Sequence, residues 1–153
     1  LYIIMSKIWG EPTWNLLHCM SEKINDVYFK NNRSTVLSIV NMILIGLPCP
    51  ECSSHSIRLF NKYIKHINTK EHFKKSIFLM HNEVNKKIKN PIKDIKVLEK
   101  YTTLIMKDIL IKWVDVYKPT KNIPKLMYNN MQINIVKKKI IKYFQLNLKY
   151  YNK

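Results

Sequence analysis

Two of the three cysteines stand three positions apart in the segment Leu47-Pro48-Cys49-Pro50-Glu51-Cys52. The flanking apolar patterns predict that one helix ends before Pro48 and that another begins near Cys49, with Pro50 at its first position. The N-terminus of a helix has unpaired N–H groups and a partial positive charge, which favour a thiolate and fast disulfide exchange. We predict that Cys49 and Cys52 form a redox pair, with Cys49 facing outward and Cys52 facing the interior.

Two other roles for this CxxC segment remain open on these residues alone. Cys49, Cys52 and His55 have ligand-like spacing for zinc, but a closed site needs a fourth ligand that only Cys19 or a distant histidine could supply. A reduced, purely structural cysteine pair is the other alternative. We do not expect a metal, and the choice among these roles requires further residues.

Two more motifs carry residues able to bind a ligand. Residues 9–18 read WGxxxWxxLH, and residues 81–85 read HNxVN. His81 and Asn85 are four positions apart, so they share one face of a helix. Taken singly, a helical histidine or asparagine is more often an ordinary core or surface residue.

Composition and apolar spacing predict an all-α domain. The chain has 153 residues, 46% of them hydrophobic, and only 2 glycines, which disfavours a β-sandwich or barrel. Apolar residues recur at helical spacing in five segments, which predicts a helical bundle. These segments are 12–27, 36–47, 57–64, 73–88 and 98–116.

The chain is strongly basic, particularly near its C-terminus. Lys and Arg total 27 against 10 Asp and Glu, a formal net charge of +17. We expect a domain over 1–118 and a basic extension over 119–153, in which 133–151 could form one more helix. A solvated face is the simplest interpretation of Lys137 to Lys139, although an anionic membrane surface remains a candidate partner; no nucleic-acid motif accompanies them. No apolar stretch is long enough to span a bilayer, and the opening residues do not decide targeting.

The order and spacing of WGxxxWxxLH, CxxCxxH and HNxVN resemble the Erv/ALR family of FAD-dependent sulfhydryl oxidases, and LPCPEC followed by a histidine is similar to the short viral members. The resemblance covers about residues 8–91. It implies a four-helix bundle with an additional fifth helix, here followed by a C-terminal helical extension. It also implies noncovalently bound FAD and a homodimer.

The resemblance implies that residues of all three motifs contact FAD. Trp14 and His18 match positions beside the flavin nucleotide, and His81 and Asn85 match positions on the adenine side. Departures occur at Glu11, Ser76 and Asn90, and we expect Lys89 with Phe73 or Phe78 to compensate. Lysines 86, 87 and 89 are candidates to neutralise the pyrophosphate. The predicted cofactor-binding residues are Gly10, Trp14, His18, His55, His81, Asn82, Asn85 and Lys89.

The implied activity is oxidation of protein thiols to disulfides, with electrons passing through the CxxC and FAD to dioxygen and hydrogen peroxide released. Cys19 is the only other cysteine, so no shuttle pair can form and we expect a buried spare thiol there. The expected client is a thioredoxin-like or CxxC-bearing protein, and the expected location is the host cytoplasm or the virion, where the enzyme would serve virion disulfide formation. The alternative function is a zinc-bearing basic helical adaptor that binds nucleic acid or membrane.

Overall fold

The computed structural model describes residues 2–117 and 130–151, with side chains over 8–117 and 133–151. These described residues form α-helices and short 3-10 turns without any β-strand, which confirms the all-α prediction. The α-helices are α1 (Tyr2–Lys23), α2 (Asp26–Ile45), α3 (Pro50–Tyr63), α4 (Lys70–Lys87), α5 (Glu99–Thr103), α6 (Met106–Val116) and α7 (Asn130–Asn147). The 3-10 turns are Ile64–His66, Ile95–Leu98 and Leu148–Tyr151.

The helices pack as a bundle around one apolar core. α1 lies against α4 and α6, whereas α2 lies against α3 and α7. Side-chain caps begin two of the helices: Asn25 Oδ1 accepts a hydrogen bond from Tyr28 N, and Thr69 Oγ1 accepts one from His72 N. Each such cap is worth about 1 kcal/mol, so the helix starts are encoded locally. Within the described ranges, no helix has both the length and the apolar character to cross a membrane.

The predicted first helix, 12–27, is wrong at both ends. α1 begins well before Pro12, so this proline lies inside the helix. Its ring removes one N–H donor and crowds the carbonyl of Ile8, which is why the sequence had favoured a helix start there. The Thr13 hydroxyl adds a hydrogen bond of 2.7 Å to the Trp9 carbonyl. At the other end α1 stops at Lys23, and Val27 lies exposed on α2 because the cap at Asn25 starts a new helix there.

The predicted helix 98–116 is also divided. Leu104 has extended backbone angles (φ −76°, ψ 148°), which separate α5 from α6. Apolar residues on both sides of this break are buried, including Tyr101, Met106 and Trp113. The helical spacing of apolar residues therefore continues across the break at Leu104, so the spacing alone could not show that two helices are present.

The C-terminal extension contributes to the same core. The predicted helix over 133–151 is observed as α7 and the following 3-10 turn. Its inner face buries apolar and aromatic side chains, and its C-terminal end is hydrogen-bonded to the start of α2 through Asn25 N and the Tyr150 carbonyl oxygen, 2.7 Å apart. The predicted linker at Pro119 and Pro124 lies outside the described residues. The buried residues of this segment are Val136, Ile140, Tyr143, Phe144 and Tyr151.

Candidate active site

Cys49 and Cys52 form a disulfide at the start of α3, with their Cα atoms 5.1 Å apart. Cys49 is the N-cap residue, its Sγ accepts a hydrogen bond of 3.2 Å from Cys52 N, and Pro50 follows in the first helical turn. Cys49 is partly exposed, whereas Cys52 is only 8% exposed. The predicted helix start and the predicted outward and inward positions of the two cysteines are confirmed.

Cys52 borders a cleft of about 690 Å³, a size typical of small-molecule sites. The walls of the cleft come from α1, α2, α3, α4, α5 and the segment that joins α4 to α5. Thr13, Leu17, Leu44, Ser56 and Val84 form part of its lining. The inner sulfur of the disulfide is thus placed beside a space large enough for an organic cofactor.

Four stacked rings stand at one side of the cleft, and three of them, Trp14, His81 and Tyr101, line it. Trp14 stacks on His81 with centroids 4.1 Å apart, and His18 stacks on Tyr101 at 4.5 Å. The two histidines join the stacks through a 3.0 Å hydrogen bond between His18 Nε2 and His81 Nδ1. The rings come from α1, α4 and α5, so only the assembled bundle creates this wall.

Both histidines of this pair are neutral at pH 7. Burial is the main cause that lowers the pKa of His18 to about 3, and electrostatic interactions with His81 and Lys100 lower it further. Burial likewise lowers the pKa of His81 to about 4, with help from Lys93 and Lys100. Neutral imidazoles beside Trp14 provide a flat, polar and uncharged surface on which a ring can stack.

Five of the eight predicted cofactor-binding residues line the cleft: Gly10, Trp14, His55, His81 and Asn85. His18 is 1% exposed and lies behind His81, to which it is hydrogen-bonded. His55 follows Cys52 by one turn, and its pKa is lowered by partial burial and then by Lys87 and Arg58. That these residues bind FAD stays a prediction.

Asn82 and Lys89 are not among the residues that line the cleft, and their roles toward FAD stay predictions. The Asn82 side chain is engaged by the backbone of Lys93, with Nδ2 donating to the carbonyl oxygen and Oδ1 accepting from the amide, both at 2.9 Å. Lys89 is exposed and has a φ of 59°, because α4 ends just before it and the chain reverses there. The reversal is closed by a hydrogen bond of 2.8 Å from Asn90 N to the Asn85 carbonyl oxygen.

The aromatic residues expected to compensate for Ser76 also lie elsewhere. Phe73 is fully buried in the core, where it stacks on Phe29 at 5.5 Å. Phe78 is partly buried and is not part of the cleft lining. The ring that does complete the wall is Tyr101, because α5 folds back over α1.

Cationic side chains surround the cleft. Lys87, predicted among the candidates for the pyrophosphate, lines it together with Lys93 and Lys100. Glu11 is the acidic residue in this lining. Lys93, Lys100 and Tyr101 were missed by the sequence analysis, because no local motif marks them and their position depends on the return of the chain after Pro91.

Two buried polar atoms of cleft-lining residues have no hydrogen-bond partner among the described residues: Trp9 Nε1 and Asn85 Nδ2. A buried donor without a partner is costly, so such atoms indicate a missing ligand or water. Donors, stacked rings and lysines together suit a ligand with flat rings and phosphate groups. FAD has both, and the residues present fit it.

Cys19 stands apart from this chemistry. It is fully buried as a free thiol, and burial raises its pKa to about 11. It does not belong to the cleft lining, which agrees with the prediction of a buried spare thiol. Among the described residues, no three His, Cys, Asp or Glu side chains converge as a metal site.

The fold and the site together define an all-α bundle that carries a disulfide at a helix N-terminus beside a ring-lined, cationic cleft. The model of the Erv1/Alr family matches residues 11–103, and the chain belongs to this family. This confirms the resemblance found in the sequence motifs. No solved structure is significantly similar to the chain.

Viral proteins are among the relatives of known description. An FAD-linked sulfhydryl oxidase of African swine fever virus (Kenya isolate) is 31% identical over 85 residues, which cover 55% of this chain and 71% of that protein. The protein of the Malawi isolate gives the same values. A protein of Invertebrate iridescent virus 3, named as a candidate FAD-linked sulfhydryl oxidase, is 25% identical over 87 residues, which cover 56% of this chain and 59% of that protein.

Proposed function

We propose that this chain is an FAD-linked sulfhydryl oxidase, which forms disulfides in protein thiols and delivers the electrons through Cys49–Cys52 and FAD to dioxygen, with release of hydrogen peroxide. The observation that carries the proposal is that Cys52 connects two places. Its sulfur is bonded to the more exposed Cys49, and the residue also borders the cleft. Family membership and the descriptions of the viral relatives support it.

The two sulfurs differ in exposure, and we assign them different roles in the reaction for that reason. A client thiolate attacks Sγ of Cys49, which forms a mixed disulfide and releases Cys52 as a thiolate in the first turn of α3. A second client thiol then displaces Cys49, so the client leaves with a new disulfide and both cysteines are reduced. FAD, when bound, supplies the acceptor for these two electrons and their transfer to dioxygen.

The protein residues hold the cofactor and tune the site. His81 and Trp14 present the stacking surface, Asn85 offers an unpartnered amide donor, and Lys87, Lys93 and Lys100 supply positive charge for phosphates. His18 holds His81 through their hydrogen bond. Asn82 orients Lys93 through the backbone of that residue.

A cysteine series tests this function. We expect the purified protein to show flavin absorbance and to consume oxygen when dithiothreitol is added. Cys49→Ser and Cys52→Ser should abolish this consumption, whereas Cys19→Ser, the matched control, should retain most of it. Turnover in Cys52→Ser would contradict the proposed electron path, and a colourless protein with stoichiometric zinc would favour the zinc-bearing adaptor instead.

We also propose the finer assignments: a thioredoxin-like or CxxC-bearing client, a homodimer, and action in the host cytoplasm or virion for virion disulfides. The viral origin of the matched relatives supports the location. With Cys52→Ala, Cys49 should hold its client as a stable mixed disulfide, and recovery of glutathione alone would count against a dedicated client. Light scattering of the purified protein tests the dimer, and mass spectrometry of virions and infected-cell fractions tests the location.

A further inference from the structure

The outer face of α7 and its 3-10 turn is basic and free of acidic residues. Residues 118–153 contain nine lysines and no Asp or Glu. Exposed residues of this segment recur at intervals of three and four, so they form one continuous face. We call this the α7 basic face; its residues are Ile135, Lys138, Lys139, Lys142, Gln145, Leu146 and Lys149.

This face is not neutralised by the rest of the protein. The ion pairs among the described residues involve Lys62 and Lys74, and none involves a lysine of the α7 basic face. The neighbouring Lys137 instead donates a hydrogen bond of 3.2 Å to the Tyr117 carbonyl oxygen. The charge of Lys138, Lys139 and Lys142 is therefore available to a partner.

The N-terminal half of α7 lies next to the redox segment. A Cβ atom placed on Gly46 would be 2.9 Å from Val136 Cγ1, so the two helices touch at this point. Cys49 follows Gly46 by three residues, which span at most about 11 Å. Lys139 follows Val136 by three residues, a rise of about 4.5 Å along α7.

These separations are small compared with a folded client. A domain of 100 residues has a radius of gyration of about 13 Å, so a client of this size whose thiol reaches Cys49 is large enough to extend to the nearest lysines of α7. Ile45 and Ile135, which precede the two contacting residues, are 37% and 48% exposed and offer apolar contact at the same place. A charged surface beside a reactive group selects partners of opposite charge and accelerates their association.

We propose that the α7 basic face is the docking surface for an acidic protein client, which it steers toward Cys49. This inference rests on the proposed thiol oxidase function and adds a client class to it. Charge complementarity defines the client: an acidic segment next to its reactive cysteines. Proximity to Cys49 favours a protein client over an anionic membrane or a nucleic acid, neither of which needs the redox pair.

The test uses the full chain with bound flavin and three thiol substrates: dithiothreitol, a CxxC peptide flanked by glutamates, and the same peptide flanked by lysines. The variant is Lys138→Glu/Lys139→Glu/Lys142→Glu. The matched control, Lys30→Glu/Lys65→Glu/Lys75→Glu, makes the same change in net charge at exposed positions outside this face. Variant-to-wild-type ratios are compared for each substrate, which cancels differences in intrinsic thiol reactivity between the peptides.

We expect the α7 variant to raise KM for the glutamate peptide by roughly tenfold, within the range known for electrostatic steering. It should leave kcat and dithiothreitol oxidation unchanged, and the effect should shrink in high salt. An equal change in the control variant, or an unchanged KM in the α7 variant, would overturn the proposal.

Two further outcomes separate the alternatives. If the wild-type protein binds vesicles of phosphatidylserine or a DNA duplex through these lysines while KM for the glutamate peptide is unaffected, the face serves a membrane or a nucleic acid and the client proposal is wrong. If the wild-type protein does not oxidise dithiothreitol, the thiol oxidase function itself fails, which is a different result from the loss of peptide selectivity alone.

Discussion

The hydrogen-bonded pair His18–His81 predicts that moderate acid destabilises the protein. The pKa values of about 3 and about 4 lie below the usual value of 6.5 given for both groups. The folded protein therefore binds fewer protons than the unfolded chain between about pH 4 and pH 6.5. In that window the free energy of unfolding decreases as the pH falls.

The size of this loss of stability follows from how many protons the unfolded chain takes up across this pH range. Between pH 7 and pH 5 each unfolded imidazole changes from mostly neutral to almost fully protonated, and integrating this proton uptake at 1.36 kcal/mol per proton and pH unit gives about 2 kcal/mol for each. The pair together should cost about 3 to 4 kcal/mol between pH 7 and pH 5, because part of the His18 shift arises from His81. That is a large share of the 5 to 15 kcal/mol that typically stabilises a domain.

Urea unfolding followed by circular dichroism at pH 7 and pH 5 measures this change at one fixed flavin content. His18→Asn/His81→Asn removes both imidazoles and should lose much less stability over the same interval, even if it is less stable at pH 7. His55 adds a contribution of the same sign in both proteins, because its pKa is also lowered.

A matched control is His72→Asn, at an exposed position in the first turn of α4, which should retain the acid sensitivity of the wild type. If the wild type and the double variant lose equal free energy between pH 7 and pH 5, the histidine pair is not buried and neutral as described, and the reasoning is refuted.

Three further substitutions test the packing and the positioning at the site. Gly46→Ala should lower the melting temperature, since the added Cβ meets Val136 and such overpacking costs about 1 to 3 kcal/mol; Gly46→Ala/Val136→Ala should recover part of the loss. Phe144→Ala should reduce the free energy of unfolding by about 3 to 5 kcal/mol, because this ring is 1% exposed in the core. Asn82→Ala should weaken FAD retention, measured by equilibrium dialysis, because the backbone of Lys93 loses two hydrogen bonds.

The controls for Phe144→Ala and Asn82→Ala come from exposed positions on the same helices. Gln145→Ala, next to Phe144 but exposed, should leave stability within about 0.5 kcal/mol of the wild type. An unchanged melting temperature in Phe144→Ala would show that α7 is not part of the core. Lys75→Ala, exposed on α4 and absent from the cleft lining, should retain FAD, and equal losses in Lys75→Ala and Asn82→Ala would contradict the positioning role.

Local sequence determined the redox pair and its helix. Cys49 and Cys52 are separated by less than one turn, and Pro50 between them has its backbone geometry set by its own ring. The same is true of His81 and Asn85, whose spacing of four places them on one face whatever surrounds the helix. These features depend on a few consecutive residues, so the sequence motifs were sufficient to predict the family and the all-α fold, both now confirmed.

Tertiary structure decided which other residues meet at the cleft. Lys93, Lys100 and Tyr101 follow α4 without any motif, and they reach the cleft only because the chain turns back after Pro91. Lys89, adjacent in sequence to the HNxVN helix, points away because α4 ends before it with a left-handed turn. The position of α7 against Gly46, three residues before Cys49, has the same physical reason: the proximity of residues 46 and 136 depends on the packing of whole helices, and no spacing along the chain encodes it.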